Sequence, residues 1–262
     1  MCRWLAYSGQ PVFLEDLIHK PAHSLFDQSL RAVEAKTPTN GDGFGLGWYG
    51  ERPEPGLYRE VLPAWNDANL RSLARQIRSR LFFAHVRAST GTASTRVNCH
   101  PFAHGRWLFM HNGQIGGYTR LRRRLESLVS DAHYAHRLGT TDSEVIFYLL
   151  LGQGLEADPP GALARALRQV REVMKAAEVA EPLRFTAALS DGETVYALRY
   201  ASDFAPPTLY WRTEPGAVSI VSEPLDGGGK AWDPLPPNQV LVVGRDLQPG
   251  FAPLFPAGQA AE

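Results

Sequence analysis

Four glycines fall at every second position, Gly41, Gly43, Gly45 and Gly47, in the stretch Asn40-Gly-Asp-Gly-Phe-Gly-Leu-Gly-Trp48. Their alternation with Phe44, Leu46 and Trp48 has the period of a β-strand. A strand face without side chains points to close approach of another backbone. Cys2 to Tyr7 predicts a strand at the start of the chain. Leu81 to His85 predicts a short apolar strand running into Arg87, and Trp107 to His111 another that ends at Asn112-Gly113. Leu70, Leu73 and Ile77 have helical spacing over Asn69 to Arg80, with Asn69 as the expected N-cap. Arg120 to Val129 reads as a short helix with a basic, solvated face. Thr141-Asp-Ser-Glu144 before an apolar run is a capping-box pattern, so a helix is expected from near Asp142. Leu163, Leu167, Val170 and Met174 mark another helix that ends before Pro182. The remainder reads as antiparallel strands: Phe185–Ser190 and Thr194–Tyr200 around an Asp191-Gly192 turn, Leu209–Arg212 and Ala217–Val221, and Gln239–Val243. Strands, then helices, then strands imply an α+β layered fold. No internal repeat or linker is visible, so one domain over residues 1–262 is expected, with a loosely attached tail from about Gln248.

A chain of 262 residues can bury about 70–75% of its unfolded surface without disulfides. Its 27 basic and 27 acidic side chains balance, which argues against broad binding to nucleic acid or a membrane surface. The longest apolar run, Val145–Leu151, is too short to span a bilayer. Met-Cys-Arg-Trp-Leu-Ala-Tyr lacks the basic and apolar regions of a signal peptide, so a cytoplasmic protein with reduced thiols is expected. Cys2 and Cys99 are the two cysteines and make no disulfide framework. A role for Cys2 is then chemical rather than structural.

Removal of Met1, favoured by the small residue that follows it, would put a thiol and an α-amine on one residue. A free thiol has a pKa of about 8.5 and an α-amine about 7.7–8.0, so nucleophile and base would sit together near neutrality. Attack on an amide needs donors aimed at the developing oxyanion. The Asn112 side-chain amide and the Gly113 N–H are candidates, and Gly113 has no Cβ to keep a substrate away. Arg87 could grip a carboxylate bidentately, with Ser89 and Thr90 as hydroxyl donors beside it. Asp142 could hold an ammonium group, or serve the helix dipole as a first-turn carboxylate. Cys99, His100 and His104, with His85 and His111, offer metal ligands. Their spacing matches no common zinc pattern, so no metal and no cofactor is expected.

Taken together, Cys2, Asn40 to Trp48, His85-Val-Arg-Ala-Ser-Thr90, Asn98-Cys-His-Pro101, His111-Asn-Gly113 and Thr140-Thr-Asp-Ser-Glu144 closely resemble the class II glutamine amidotransferases. These are Ntn hydrolases with an N-terminal cysteine. The resemblance covers Cys2 to Leu151, and Ser222-Glu-Pro-Leu225 is similar to the single-domain branch, although the residues suggest no role for it. The resemblance implies a four-layer αββα sandwich with two central antiparallel sheets. It implies Cys2 as nucleophile with its α-amine as base through water, and Asn112 and Gly113 as the oxyanion hole. Arg87 with Ser89 or Thr90 would bind an α-carboxylate, and Asp142 an α-amino group. The expected reaction is hydrolysis of glutamine or a γ-glutamyl conjugate through a γ-glutamyl thioester. No ammonia-consuming domain follows Val243, so the expectation is a stand-alone hydrolase on a small-molecule substrate. The alternatives are a glutaminase subunit with a synthetase partner in trans, and a silent binding protein. The branch that acts in ergothioneine metabolism carries His where this chain has Trp4.

Overall fold

The computed structural model describes residues 2–34, 38–89, 91–226 and 232–255. Two antiparallel sheets form its centre. The first has the order β11 (Asp233–Pro234), β9 (Tyr210–Glu214), β10 (Ala217–Val221), β1 (Arg3–Phe13), β4 (Arg78–Val86), β2 (Phe44–Trp48), β3 (Gly56–Glu60). The second has the order β13 (Pro249–Pro253), β12 (Gln239–Val243), β8 (Val195–Ala201), β7 (Arg184–Ser190), β6 (Trp107–Gln114), β5 (Phe102–His104).

Period-two alternation sorts each strand's side chains between two cores. Trp4, Ala6, Phe83, Val218 and Ile220 of the first sheet meet Leu108, Met110, Ala188, Ala197 and Leu241 of the second. The opposite face of the first sheet, with Leu5, Tyr7, Phe44, Phe82 and Ala84, is covered by α1 (Glu15–Ile18), α2 (Leu25–Arg31) and α3 (Ala68–Gln76). The outer face of the second sheet is covered by α4 (Tyr118–Glu126), α6 (Asp142–Gly152) and α7 (Pro159–Ala176), with α5 (Asp131–Tyr134) beside α6. The layers therefore run αββα. Helix α6 is buried along Ser143–Leu150, which explains an apolar run without amphipathic period. Among the described residues no helix is long and apolar enough to cross a membrane.

The glycine alternation has the cause its period implies. A Cβ on Gly45 would overlap the His100 carbonyl, and one on Gly47 would sit 2.7 Å from Pro101 Cγ and 2.9 Å from Leu108. The bare face of β2 thus lets the 98–101 loop and β6 pack onto it.

Three local expectations are corrected. The N-cap of α3 is Asp67, whose Oδ1 accepts from Leu70 N at 2.7 Å, and residues 78–80 already belong to β4. The strand expected to end at Asn112-Gly113 continues through both residues. They pair in register with Thr186 and Phe185 inside β6, and the strand runs to Gln114. The tail expected to be loose from Gln248 forms β13 over Pro249–Pro253, held by β12. Residues 256–262 of that tail lie outside the described residues.

Candidate active site

The Cys2 thiol lies at the head of β1, half-buried. Ala88, just past the end of β4, meets it twice: its N–H donates to Sγ at 3.4 Å, and its carbonyl accepts from Sγ at 3.6 Å. Burial pushes the thiol above its ordinary pKa, while the Ala88 amide and the Arg87 and Arg3 charges pull it down.

Arg87 continues β4 beyond Val86 and is buried. Its Nη1 donates to Asp42 O at 3.2 Å, and its Nη2 to Thr92 Oγ1 at 2.7 Å and Ser89 Oγ at 3.2 Å. Ser89 N donates to Asp42 Oδ2 at 2.7 Å, and Ser89 Oγ to Thr92 O at 2.6 Å. Arg87 therefore ties Ser89 to Thr92, and a carboxylate reaching Nη2 must displace Thr92. Asp42 is the missed partner here. It stands inside the glycine-rich stretch, so the motif contained the signal, whereas nothing around Thr92 marked it. Thr90 lies outside the described residues.

Asn112 is 2% exposed. Its carbonyl accepts from Thr186 Oγ1 at 2.9 Å, but its side-chain Nδ2 has no hydrogen-bond partner. A buried amide N–H left unmade costs about 1–3 kcal/mol, so a native structure keeps one for a reason. Gly113 has φ +154°, and a Cβ there would overlap the Arg184 carbonyl oxygen. Close approach of β7, as well as any substrate, demands glycine.

Asp142 opens α6, whose N-cap Thr141 accepts from Glu144 N at 3.2 Å. Asp142 Oδ2 accepts from Ile115 N at 2.9 Å, which ties the helix start to the chain two residues past Gly113. Glu144 completes only half of the capping box. Its carboxylate reaches back to Leu138 N and Gly139 N, at 3.0 and 2.7 Å, not to Thr141. Asn98 closes the circuit between the segments: Nδ2 donates to Ala93 O at 2.9 Å, and Oδ1 accepts from Thr140 N at 2.8 Å. Contacts thus run from Cys2 through Ala88, Ser89, Thr92, Ala93 and Asn98 to Thr140 and the head of α6.

The metal-ligand candidates separate. His85 and His100 pack ring to ring between the sheets, 4.3 Å apart. Burial holds His85 down to about 3 and His100 well below the usual imidazole range. His111 contacts Ser143 Oγ through Nδ1 at 2.8 Å. His104 sits instead with His133 and His136, and Cys99 faces the carbonyls of Glu60 and Thr95. Trp4 is fully buried in the core between the sheets.

Two facing antiparallel sheets between helical layers, with a thiol at the head of a central strand, define the Ntn-hydrolase class of amidohydrolase. Residues 16–210 match the family described as glutamine amidotransferases class-II. The chain belongs to that family. It is 33% identical to a Saccharomyces cerevisiae protein called "Probable glutamine amidotransferase DUG3", over 93% of this chain and 82% of that one. It is 29% identical to the γ-glutamyl-hercynylcysteine sulfoxide hydrolase of Mycolicibacterium smegmatis, over 97% of this chain and 100% of that enzyme. A solved glutamine aminotransferase class-II domain protein from Silicibacter pomeroyi superposes with TM-score 0.78 at 41% identity, covering 97% of this chain and 100% of that one.

Proposed function

We propose that this enzyme hydrolyses a γ-glutamyl amide, glutamine or a γ-glutamyl conjugate, with Cys2 as the nucleophile. The observation that carries the reading is the buried, unpartnered Asn112 Nδ2, a donor kept for a group that arrives during the reaction. Removal of Met1 frees the α-amine of Cys2, which takes the thiol proton through water. Sγ attacks the γ-carbonyl, and the oxyanion rests on Asn112 Nδ2 and the Gly113 N–H. The α-ammonium returns its proton to the leaving amine, leaving a γ-glutamyl thioester. Water then cleaves the thioester to release glutamate and restore the thiol. Arg87 receives the substrate α-carboxylate, with Ser89 and Thr90 beside it, and its Thr92 contact opens to admit that carboxylate. Asp142 receives the α-ammonium. The relative named as a γ-glutamyl-conjugate hydrolase, matched over its whole length, supports hydrolysis of a γ-glutamyl conjugate.

Intact mass before and after exposure to 6-diazo-5-oxo-norleucine, a glutamine-mimicking alkylator, tests this. The expected result is a chain lacking Met1 that gains one adduct mapped to Cys2, and that hydrolyses a γ-glutamyl amide alone. A folded chain lacking Met1 that takes no adduct overturns the reading in favour of a silent binding protein. Turnover that appears only with an added synthetase instead favours the glutaminase-subunit reading.

A further inference from the structure

Ser222-Glu-Pro-Leu225 is the motif that the proposed chemistry leaves unused. It follows directly on β10 and runs past the head of β1. Ser222 N donates to Trp4 O at 3.0 Å, and Trp4 N donates to Ser222 Oγ at 2.9 Å. This is a two-bond clamp, two residues from Cys2. The Ser222 carbonyl also accepts from Arg3 Nη1 at 3.2 Å.

Glu223 is 3% exposed and gathers donors on both oxygens. Oε1 accepts from Val33 N at 2.8 Å and meets His23 Nε2 at 2.5 Å. Oε2 accepts from Glu34 N at 3.0 Å and pairs with Arg3 Nη1 at 3.5 Å. Three hydrogen-bonding groups and one guanidinium thus surround the carboxylate. His23 is also held by Asp27 at 2.9 Å, and Tyr210 OH donates to Glu34 Oε1 at 3.0 Å.

Three of these groups, on Arg3, Val33 and Glu34, come from two places that the reaction must align. Arg3 adjoins the nucleophile. Val33 and Glu34 begin the connection from α2 to the glycine-rich stretch. That connection is fastened again where Asn40 N donates to Ser29 O at 2.7 Å and Asp42 N to Arg87 O at 3.0 Å. Asp42 then holds both Arg87 and Ser89.

We infer that Glu223 is a positioning residue: its carboxylate fixes Cys2, through Arg3, relative to the Asp42–Arg87–Ser89 anchor. Ser222 holds β1 at Trp4. The inference rests on the proposed function, because it needs Cys2 as nucleophile and Arg87 as anchor. A misplacement of about 1 Å between reacting groups can cost roughly 10² in rate, so a fixed alignment of this kind acts on turnover.

Glu223→Gln tests it. The amide has nearly the same shape but turns an NH2 toward a donor. For the folded variant, kcat on a γ-glutamyl amide falls by about tenfold or more, while KM moves by less than about threefold. Cys2 modification by the diazo ketone slows in step with kcat. Modification by iodoacetamide, which needs no bound substrate, stays within about threefold of the wild type. A folded variant with a lower melting temperature but unchanged kcat overturns the inference, since it marks a purely structural ion pair. Equal slowing with both reagents overturns it as well. Where Glu223→Gln does not fold, Ser222→Ala carries the same readout, because the Ser222 N to Trp4 O bond survives. A fall in kcat with steady KM is again expected, and an unchanged kcat overturns the inference. If the wild type itself takes no diazo-ketone adduct, the functional reading fails and this inference falls with it. If the wild type reacts and Glu223→Gln matches it, only this inference fails.

Discussion

The two cysteines of this chain occupy regions of opposite character. Cys2 is half-buried at the head of a central strand, where a backbone N–H points at its sulfur and two guanidinium groups lie near. Cys99 is fully buried. Its sulfur meets two carbonyl oxygens, Glu60 O at 3.4 Å and Thr95 O at 3.5 Å, and the Arg87 and Arg59 charges also act on it. A Cβ on Gly43 would lie 2.7 Å from that sulfur, so the glycine-rich stretch seals the pocket. Burial raises both thiols, and Cys99 is pushed up to about 11. Guanidinium charges oppose that rise at both, and at Cys2 the Ala88 N–H opposes it too. At Cys99 two carbonyl oxygens would repel the thiolate. Chemical identity is the same, and the surrounding dipoles decide which sulfur can be a nucleophile.

The sharpest way to break this comparison is to remove each thiol. Cys2→Ala should lower hydrolysis by roughly 10⁴–10⁶, the scale seen when a nucleophile is deleted. Cys99→Ala should leave kcat intact, and a matching loss there in folded protein would show that burial does not separate the two. Asn112→Ala comes next. Loss of one oxyanion donor should lower kcat by about 10²–10³, whereas unchanged turnover would detach the unpartnered amide from the reaction. Arg87→Lys keeps the charge but loses the fork. Losing one charge-assisted hydrogen bond of about 1.5–3 kcal/mol should lower kcat/KM by about ten- to a hundredfold, and steady-state kinetics that match the wild type would remove Arg87 as the anchor. The smallest effect is on pH. Alkylation needs the thiolate, so raised thiol pKa values mean slow reaction at neutral pH and acceleration as pH rises. Iodoacetamide should modify Cys2 at lower pH than Cys99, which stays protonated until about 11. Peptide mapping that finds Cys99 modified first in folded protein would reverse the comparison.

Much of the architecture could be read from periodicity. The glycine alternation at 41–47, the apolar strands around Phe83 and Phe109, and the Thr141 cap each depend on residues within a few positions of one another. Motif order also marked Cys2, Arg87, Asn112 and Asp142 as candidates. Other points were less legible. Asn112-Gly113 resembles a turn because that pair favours turns, yet the partner strand β7 keeps it extended. Asp67 lies closer than Asn69 to where the chain leaves its extended conformation, so it takes the cap.

The sequence by itself determined which segments are strands and helices, and which side chains have the chemistry for amide attack. Local sterics and hydrophobic period act over short separations and leave their mark in the order of residues. Only the tertiary structure decided that Arg87 is held by Thr92, that Trp4 is core, that Asn112 keeps a spare donor, and that Glu223 joins Arg3 to the 33–34 backbone. Those outcomes depend on groups as far apart as Arg3 and Ser222, 219 positions along the chain. Hydrogen bonds and burial at that separation exist only once the two sheets have packed, and no periodicity records them.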